Sequence, residues 1–133
     1  MKGLIIRSPW IDLILQGEKT WEIRGANTHI RGRIALIKSG TGQVYGIAEL
    51  VDCVSLDWPA FQDHIPQHRI ETVQSLPYPK TFAWILSRPI PFKEPVPYRH
   101  PKGAVIWVYE ALDDGTPQNG GVFVRGADAR PVQ

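Results

Sequence analysis

The stretch GEKTWEIR, residues 17–24, decides how this chain folds. From Lys19 onward its side chains alternate between the two faces of a predicted strand. One face carries Thr20, Glu22 and Arg24, and the other carries Lys19, Trp21 and Ile23. Gly17 before the strand is a typical helix stop, and Gly25 and Asn27 end the strand. We therefore predict a short strand that follows a helix directly and carries three ionisable side chains.

The flanking sequence predicts an α+β fold. Further strands are expected over residues 3–7, 33–38, 44–55, 81–86 and 104–109. An N-terminal helix is expected to begin at Ser8 and Pro9, with Ser8 as its cap. A short helical insertion begins near Asp57, and 69–76 is a further helix candidate. About six strands with these helices indicate a curled sheet or a small β-barrel.

Two features modify the predicted strands. Gly46, inside the strand 44–55, is expected to mark a bulge or a close backbone approach. Seven of the twelve prolines lie between Pro77 and Pro101. Because proline has no backbone N–H, this segment is expected to be extended or to lie at a sheet edge.

Length and composition place the chain among small cytoplasmic domains. Its 133 residues are 43% hydrophobic, which suits one domain over 1–110. The single cysteine, Cys53, fits a reducing compartment, and no apolar run can span a membrane. Residues 111–133 are polar and rich in glycine, so we expect a flexible C-terminal tail that is available to a protein partner.

Positive charge is concentrated at the start of the chain. The net charge is only +2, but residues 1–38 hold seven basic and three acidic side chains, a balance of +4. The remainder holds eight basic and ten acidic side chains, a balance of −2. This asymmetry suggests a face that binds phosphate or another polyanion, although scattered surface charges would give the same count.

The chemistry of residues 17–24 lies in Lys19, Glu22 and Arg24. Glu22 and Arg24 share a strand face and can pair or contact one ligand, and a bend at the strand entrance would bring Lys19 to it. Arginine and glutamate suit planar hydrogen bonding to a base or phosphate, and lysine supplies charge. A surface ion-pair ladder is the alternative interpretation.

Residues 17–24 match GxKxxExR, the signature of the ASCH domain, a relative of the PUA fold. The order of the flanking segments also resembles that family, over residues 6–17, 31–37, 44–51, 83–86 and 103–107. The resemblance implies a small PUA-like β-barrel with helices at its ends and a cleft lined by the signature. It also implies RNA binding. Some members are enzymes, either ribonucleases or amidohydrolases that act on acetylated cytidine.

One position departs from the amidohydrolase branch, which has threonine where this chain has Glu22. A carboxylate beside Lys19 is expected to favour the protonated amine, which would make Lys19 a poorer base and a better phosphate ligand.

The leading hypothesis is a cleft that binds single-stranded RNA or a nucleotide-like ligand, without metal or cofactor. Its expected binding residues are Arg7, Trp10, Lys19, Trp21, Glu22, Arg24, Arg31 and Arg33. The alternative is a small hydrolase in which Lys19 and Glu22 are catalytic, and a protein-interaction domain is a third possibility. Residues 100–103, just before the last predicted strand, are expected near the rim of the cleft.

Other candidates are weaker. His64 and His68 are four residues apart, but Pro66 between them argues against a metal site on one helix face. Cys53 is expected to pack in the core, as are Trp84 and Trp107, and Trp58 is expected to anchor the helical insertion.

Overall fold

A computed structural model describes residues 1–113, which form one mixed sheet with three short helices. Residues 114–133, the greater part of the predicted tail, lie outside the described residues. None of the helices within 1–113 has the length and apolar character needed to cross a membrane. In chain order the elements are β1 (Gly3–Ile6), α1 (Trp10–Leu15), β2 (Trp21–Arg24), β3 (Gly32–Lys38), β4 (Gln43–Leu56), α2 (Trp58–Asp63), α3 (Ile65–His68), β5 (Thr81–Pro97) and β6 (Trp107–Val108).

The strand order in the sheet is β2-β5-β4-β3-β1-β6. Strands β1 and β3 are parallel, with Gly3 opposite Ala35 and Ile6 opposite Lys38. All other neighbouring strands are antiparallel. Because β1 and β3 run in the same direction, their C-terminal ends lie side by side at one end of the strands. The candidate site lies at this end of the sheet.

The expected barrel is wrong, because the sheet in residues 1–113 stays open. Its edge strands are β2 and β6, which do not pair with each other. Closure needs edge strands long enough to form a continuous ladder, and these have four and two residues. The long strands β4 and β5 still bend, since their pairing shifts register at three places.

The sheet is covered on both faces. Ile34 and Leu36 of β3 lie in one core cluster together with Ile11 and Ile14 of α1. The alternating residues Ala35 and Ile37 lie in a second cluster. This explains the run of four buried residues in β3. Ala111 and Leu112, at the start of the predicted tail, are buried in the second cluster.

The glycine and proline predictions are confirmed in β4 and β5. Pairing shifts between Val44 and Gly46, and a Cβ on Gly46 would lie 2.5 Å from the Ile90 carbonyl oxygen. The proline-rich half of β5 pairs with β4 on one side, while β2 reaches only residues 82–85 of β5. The prolines of residues 89–97 therefore lie where β5 has no neighbouring strand within residues 1–113 on its second side, so the missing backbone N–H groups cost no hydrogen bond there.

Three element boundaries differ from the predictions. Helix α1 begins at Trp10 without a side-chain cap, because the Ser8 hydroxyl donates to Asp12 at 2.7 Å. Helix α3 covers Ile65–His68, not 69–76, since Arg69 takes a left-handed conformation that ends it. The last strand has only two residues because its partner β1 is itself short.

Candidate nucleotide-binding cavity

A cavity of about 420 Å³ opens at the end of β1, between α1, β2 and the segment that follows α3. Its charged lining side chains are Arg7, Lys19, Glu22 and Arg24. The remaining lining residues are Ile5, Trp10, Ile23, Ser39, Ile70, Val73, Pro77, Tyr78 and Val105. The cavity thus combines a charged wall with apolar and aromatic surface, which is the usual character of a small-molecule site.

Lys19 is almost completely buried, with 2% of its surface exposed. Its Nζ donates to the carbonyl oxygen of His68 at 2.5 Å, lies 3.9 Å from Glu22 Oε1 and 4.9 Å from the centre of the Trp10 ring. The pKa of Lys19 is lowered to about 8, chiefly by burial; Glu22 opposes the shift, and the positive charges of Arg24 and Arg69 add to it. Glu22 favours the protonated amine as expected, but desolvation outweighs the carboxylate, so the pKa of Lys19 lies below its ordinary value.

Glu22 and Arg24 form a partly buried pair beside Lys19. Arg24 donates from Nε to Glu22 Oε2 at 2.9 Å and from Nη2 to the Ile5 carbonyl oxygen at 2.8 Å. The Arg24 guanidinium also lies over the Trp84 ring, 5.5 Å from its centre. The side chains of Glu22 and Arg24 are only 8% and 16% exposed. This burial distinguishes them from the surface ion-pair ladder that spacing alone allowed.

Lys19 is positioned by the turn between α1 and β2. Gly17 has a φ of +81°, and the backbone N–H groups of Glu18 and Lys19 both donate to the Leu13 carbonyl oxygen. Thr20 N then donates to the Gln67 carbonyl oxygen, which ties the turn to α3. The bend that was expected at the strand entrance brings Lys19 to the same cavity as Glu22 and Arg24.

His68 is a contributor that the sequence analysis missed. It is fully buried, and its Nδ1 accepts from Ile70 N at 3.0 Å. Nε2 must therefore carry the proton, which it donates to the Phe61 carbonyl oxygen at 2.7 Å. Burial lowers the pKa of His68, consistent with a neutral ring. The ring fixes the end of α3, whose last carbonyl oxygen accepts from Lys19. The sequence did indicate that His68 lies close to Pro66, which can start a short helix, but the sequence analysis considered His68 only as a metal ligand.

The structure brings together five of the eight expected binding residues and separates three. Trp21 stacks on His64, with ring centres 4.5 Å apart, and does not line the cavity. Arg31 and Arg33 line a different depression of about 290 Å³, together with Lys2 and Tyr109. We call this depression, lined by Lys2, Arg31, Arg33 and Tyr109, the surface patch.

The remaining tryptophans and Cys53 lie in or against the core, as expected. Trp84 is buried and stacks on the half-buried Trp107, and Trp58 packs against Phe61 in the core beside α2. Cys53 is a free thiol that packs partly against the first core cluster. The sequence analysis did not place Ile70, Val73 and Tyr78 in the cavity wall. It predicted a helix over 69–76, whereas this segment is irregular in the structure.

These observations define a small α+β domain with an open mixed sheet and a basic cavity beside its first helix. Residues 4–96 match the family model of the ASCH domain, and the chain belongs to this family. ASCH domains are generally RNA-binding or hydrolase-like. A search of curated proteins finds no significant match.

Three crystal structures of the ASCH protein from Zymomonas mobilis share the fold. Two are single-substitution mutants and one is the unsubstituted protein, with TM-scores of 0.64, 0.63 and 0.62. Each is 17% identical to this chain, and the alignments cover 81% of it and 86%, 88% and 85% of the three structures. At this identity the likeness establishes the fold alone.

Proposed function

We propose that this protein binds single-stranded RNA by taking one nucleotide of the strand into the cavity. The observation that carries the proposal is the presence of three cationic side chains, Arg7, Lys19 and Arg24, on one cavity wall with a single carboxylate. At pH 7 Lys19 is largely protonated, because its pKa is about 8. The wall then has a net charge of about +2, which suits a phosphate group.

The three cations have different parts in the proposal. Arg24 has two of its N–H donors engaged, by Glu22 and by the Ile5 carbonyl oxygen, so it presents its remaining donors from a fixed position. Lys19 supplies charge at the base of the cavity. Arg7 is exposed at its mouth and makes no side-chain hydrogen bond or ion pair with residues 1–113, so its guanidinium is available to a phosphate.

The aromatic side chains of the cavity support a base-binding role. Trp10 and Tyr78 both line it, and an unstacked base gains about 1–3 kcal/mol from contact with an aromatic ring. Glu22 adds a carboxylate acceptor for base N–H groups. A volume of about 420 Å³ is within the range of sites that enclose a small ligand.

Fluorescence anisotropy with a short labelled oligouridylate, repeated over a salt series, tests the proposal. Arg7→Ala is expected to weaken binding and to reduce the slope of log K against log salt by about 1, because one phosphate contact is lost. Lys19→Met is expected to weaken binding by at least about tenfold. Arg31→Ala, in the surface patch, is the matched control and should bind like the wild type. Unchanged affinity in both cavity variants would refute the proposal.

A second candidate function, hydrolysis in the same cavity, is favoured by one observation. Lys19 has a pKa of about 8, so a useful fraction of its amine is neutral near physiological pH and can act as a base or nucleophile. Glu22 Oε1, 3.9 Å from Lys19 Nζ, would hold or return a proton. The reactions implied by the family are RNA cleavage without metal and deacetylation of acetylated cytidine.

The two functions predict opposite pH dependence. As pH rises through about 8, loss of the Lys19 proton should weaken phosphate binding but raise a hydrolytic rate. Labelled RNA and acetylcytidine are each incubated with the protein in chelator over this range. Turnover that rises with pH and is absent in Lys19→Met supports the hydrolase. Absence of turnover at high protein concentration supports a binding function alone.

A further inference from the structure

The cavity adjoins a second depression of about 460 Å³. Both are lined by Ile5, Ser39 and Val105, so these three side chains form a shared wall between them. The far side of the second depression is formed by the turn after β3, with Gly40 and Gly42, and by the segment after β5, with Tyr98 and His100. The two depressions are therefore neighbours on the described surface, and we refer to them together as the groove, with the second depression as its far compartment.

The far compartment has an ordered polar and aromatic wall. His100 Nε2 lies 3.0 Å from the Ala104 carbonyl oxygen, which only accepts, so Nε2 carries a proton. In the neutral ring Nδ1 is then an acceptor, and the Tyr98 hydroxyl donates to it at 2.6 Å. This pair sets a phenol ring and an imidazole beside each other on the groove, with ring centres 5.7 Å apart.

The rest of the far side is formed by the turn after β3. Gly40 and Gly42 have φ values of +82° and +68°, and neither would have a neighbour within 4 Å of an added Cβ. The left-handed conformation favours glycine at both positions, and the lack of side chains allows a ligand to approach the backbone closely. The Gly42 carbonyl oxygen accepts from Tyr98 N at 3.2 Å, which fixes the turn against the segment after β5. This wall suits the close approach of a sugar or phosphate.

Arg7 and Ser39 lie near the junction of the two compartments. Arg7 follows β1, and Ser39 follows the parallel strand β3. Ser39 N donates to the Ile6 carbonyl oxygen at 2.9 Å, which holds the two strand ends side by side. Arg7 and the Ser39 hydroxyl are thus neighbours at the mouth of the cavity, and Arg7 has no side-chain partner among residues 1–113.

We infer that the far compartment binds a second nucleotide, so that the ligand is a strand of at least two nucleotides and not a free nucleoside. The first base enters the cavity beside Trp10, the linking phosphate lies at Arg7 and Ser39, and the second base contacts the Tyr98–His100 pair. This inference rests on the proposed function and extends it, because it assigns a binding role to residues outside the signature.

Binding of uridine monophosphate (pU) and of the dinucleotide pUpU, measured by calorimetry at one salt concentration, tests the inference. The wild type is expected to bind pUpU about tenfold more tightly than pU, since a second base gains a stacking contact. In His100→Ala this gain should be lost while the affinity for pU is unchanged. His29→Ala removes an exposed histidine in the turn after β2 and is the matched control, which should retain the gain.

A contact readout complements the variants. The second nucleotide of pUpU is replaced by 4-thiouridine, and cross-links to the wild-type protein are mapped by mass spectrometry. Cross-links are expected within residues 98–105. Equal affinity for pU and pUpU, or cross-links only elsewhere, would overturn the second compartment while leaving binding of pU in the cavity intact. Failure of both ligands to bind would instead overturn the proposed function and this inference with it.

Discussion

The charged side chains of the cavity wall and of the surface patch all come from the first third of the chain, yet the two regions lie at opposite ends of the same two strands. Ile5 and Arg7, at the end of β1, belong to the cavity, whereas Lys2, at its start, belongs to the patch. Ser39 after β3 and Arg33 near its start are divided in the same way. Parallel pairing of β1 and β3 therefore sorts the charges of this segment into two separate sites.

The two regions also differ in how their charges are held. Each has a lysine over an aromatic ring: Lys19 lies 4.9 Å from the Trp10 ring centre, and Lys2 lies 5.8 Å from that of Tyr109. Lys19 is buried, but Lys2 and Tyr109 are exposed. Water and salt screen the exposed pair, so only the buried charges should change stability or ligand affinity strongly.

The largest expected contrast is in stability. Arg24→Ala removes two hydrogen bonds and leaves the buried Glu22 carboxylate without its closest partner, so we expect the free energy of unfolding to fall by about 3 kcal/mol. Arg31 is the control: its side chain is 40% exposed, lies 3.7 Å from Asp52 and donates to the Thr28 and Ile30 carbonyl oxygens. Because no buried charge loses its partner, Arg31→Ala should cost only about 1 kcal/mol. Urea denaturation measures both. Equal losses would remove the distinction between the two regions.

A contrast of similar size is expected in the pH dependence of stability. The pKa of Lys19 is about 8 in the folded protein and 10.5 in its ordinary environment. Between these values the unfolded chain holds a proton that the folded protein has released, so the Lys19 contribution to the free energy of unfolding rises with pH, by about 3 kcal/mol in total. Below pH 8 both states are protonated, and this contribution is constant.

Denaturation of the wild type and of Lys19→Met between pH 7 and 10 measures the contribution of Lys19 to the free energy of unfolding. Lys2→Met is the control from the surface patch. The difference between wild type and Lys19→Met should grow in favour of the wild type as pH rises. A constant difference would mean that Lys19 is not desolvated in the folded protein. Lys2→Met should follow the wild type throughout.

The smallest expected contrast concerns the aromatic ring of each region. Trp10→Leu should weaken oligouridylate binding about fivefold, because a base loses its stacking surface in the cavity. Tyr109→Leu should leave the affinity unchanged, and so should Trp21→Leu, since Trp21 stacks on His64 outside the cavity. Equal weakening by Trp10→Leu and Tyr109→Leu, measured by anisotropy, would indicate that the strand also crosses the surface patch.

Local signals in the sequence were enough to predict most elements and the centre of the site. The alternation of residues 20–24, the stop at Gly17 and the bulge at Gly46 are all short-range features, and each corresponds to the structure. The spacing of Lys19, Glu22 and Arg24 similarly indicated a shared cluster, which lines one cavity.

What could not be predicted depends on contacts between distant segments. The pairing of β1 with β3 places Arg31 and Arg33 away from Arg7, although charge counting had grouped them. The open sheet follows from the short lengths of β2 and β6. The pKa of Lys19 is set by burial under α3, and the carbonyl oxygen of His68, 49 residues away, completes its environment.

The central claim, that buried Lys19 contacts the bound nucleotide, is tested most directly by NMR titration of the Lys19 side chain with and without saturating pUpU. We predict a pKa of about 8 in the free protein. We also predict a clear rise in this pKa when the nucleotide is bound, because a negatively charged ligand in the same cavity stabilises the ammonium form. A Lys19 signal whose chemical shift and pKa are the same in the free and saturated protein would contradict the account.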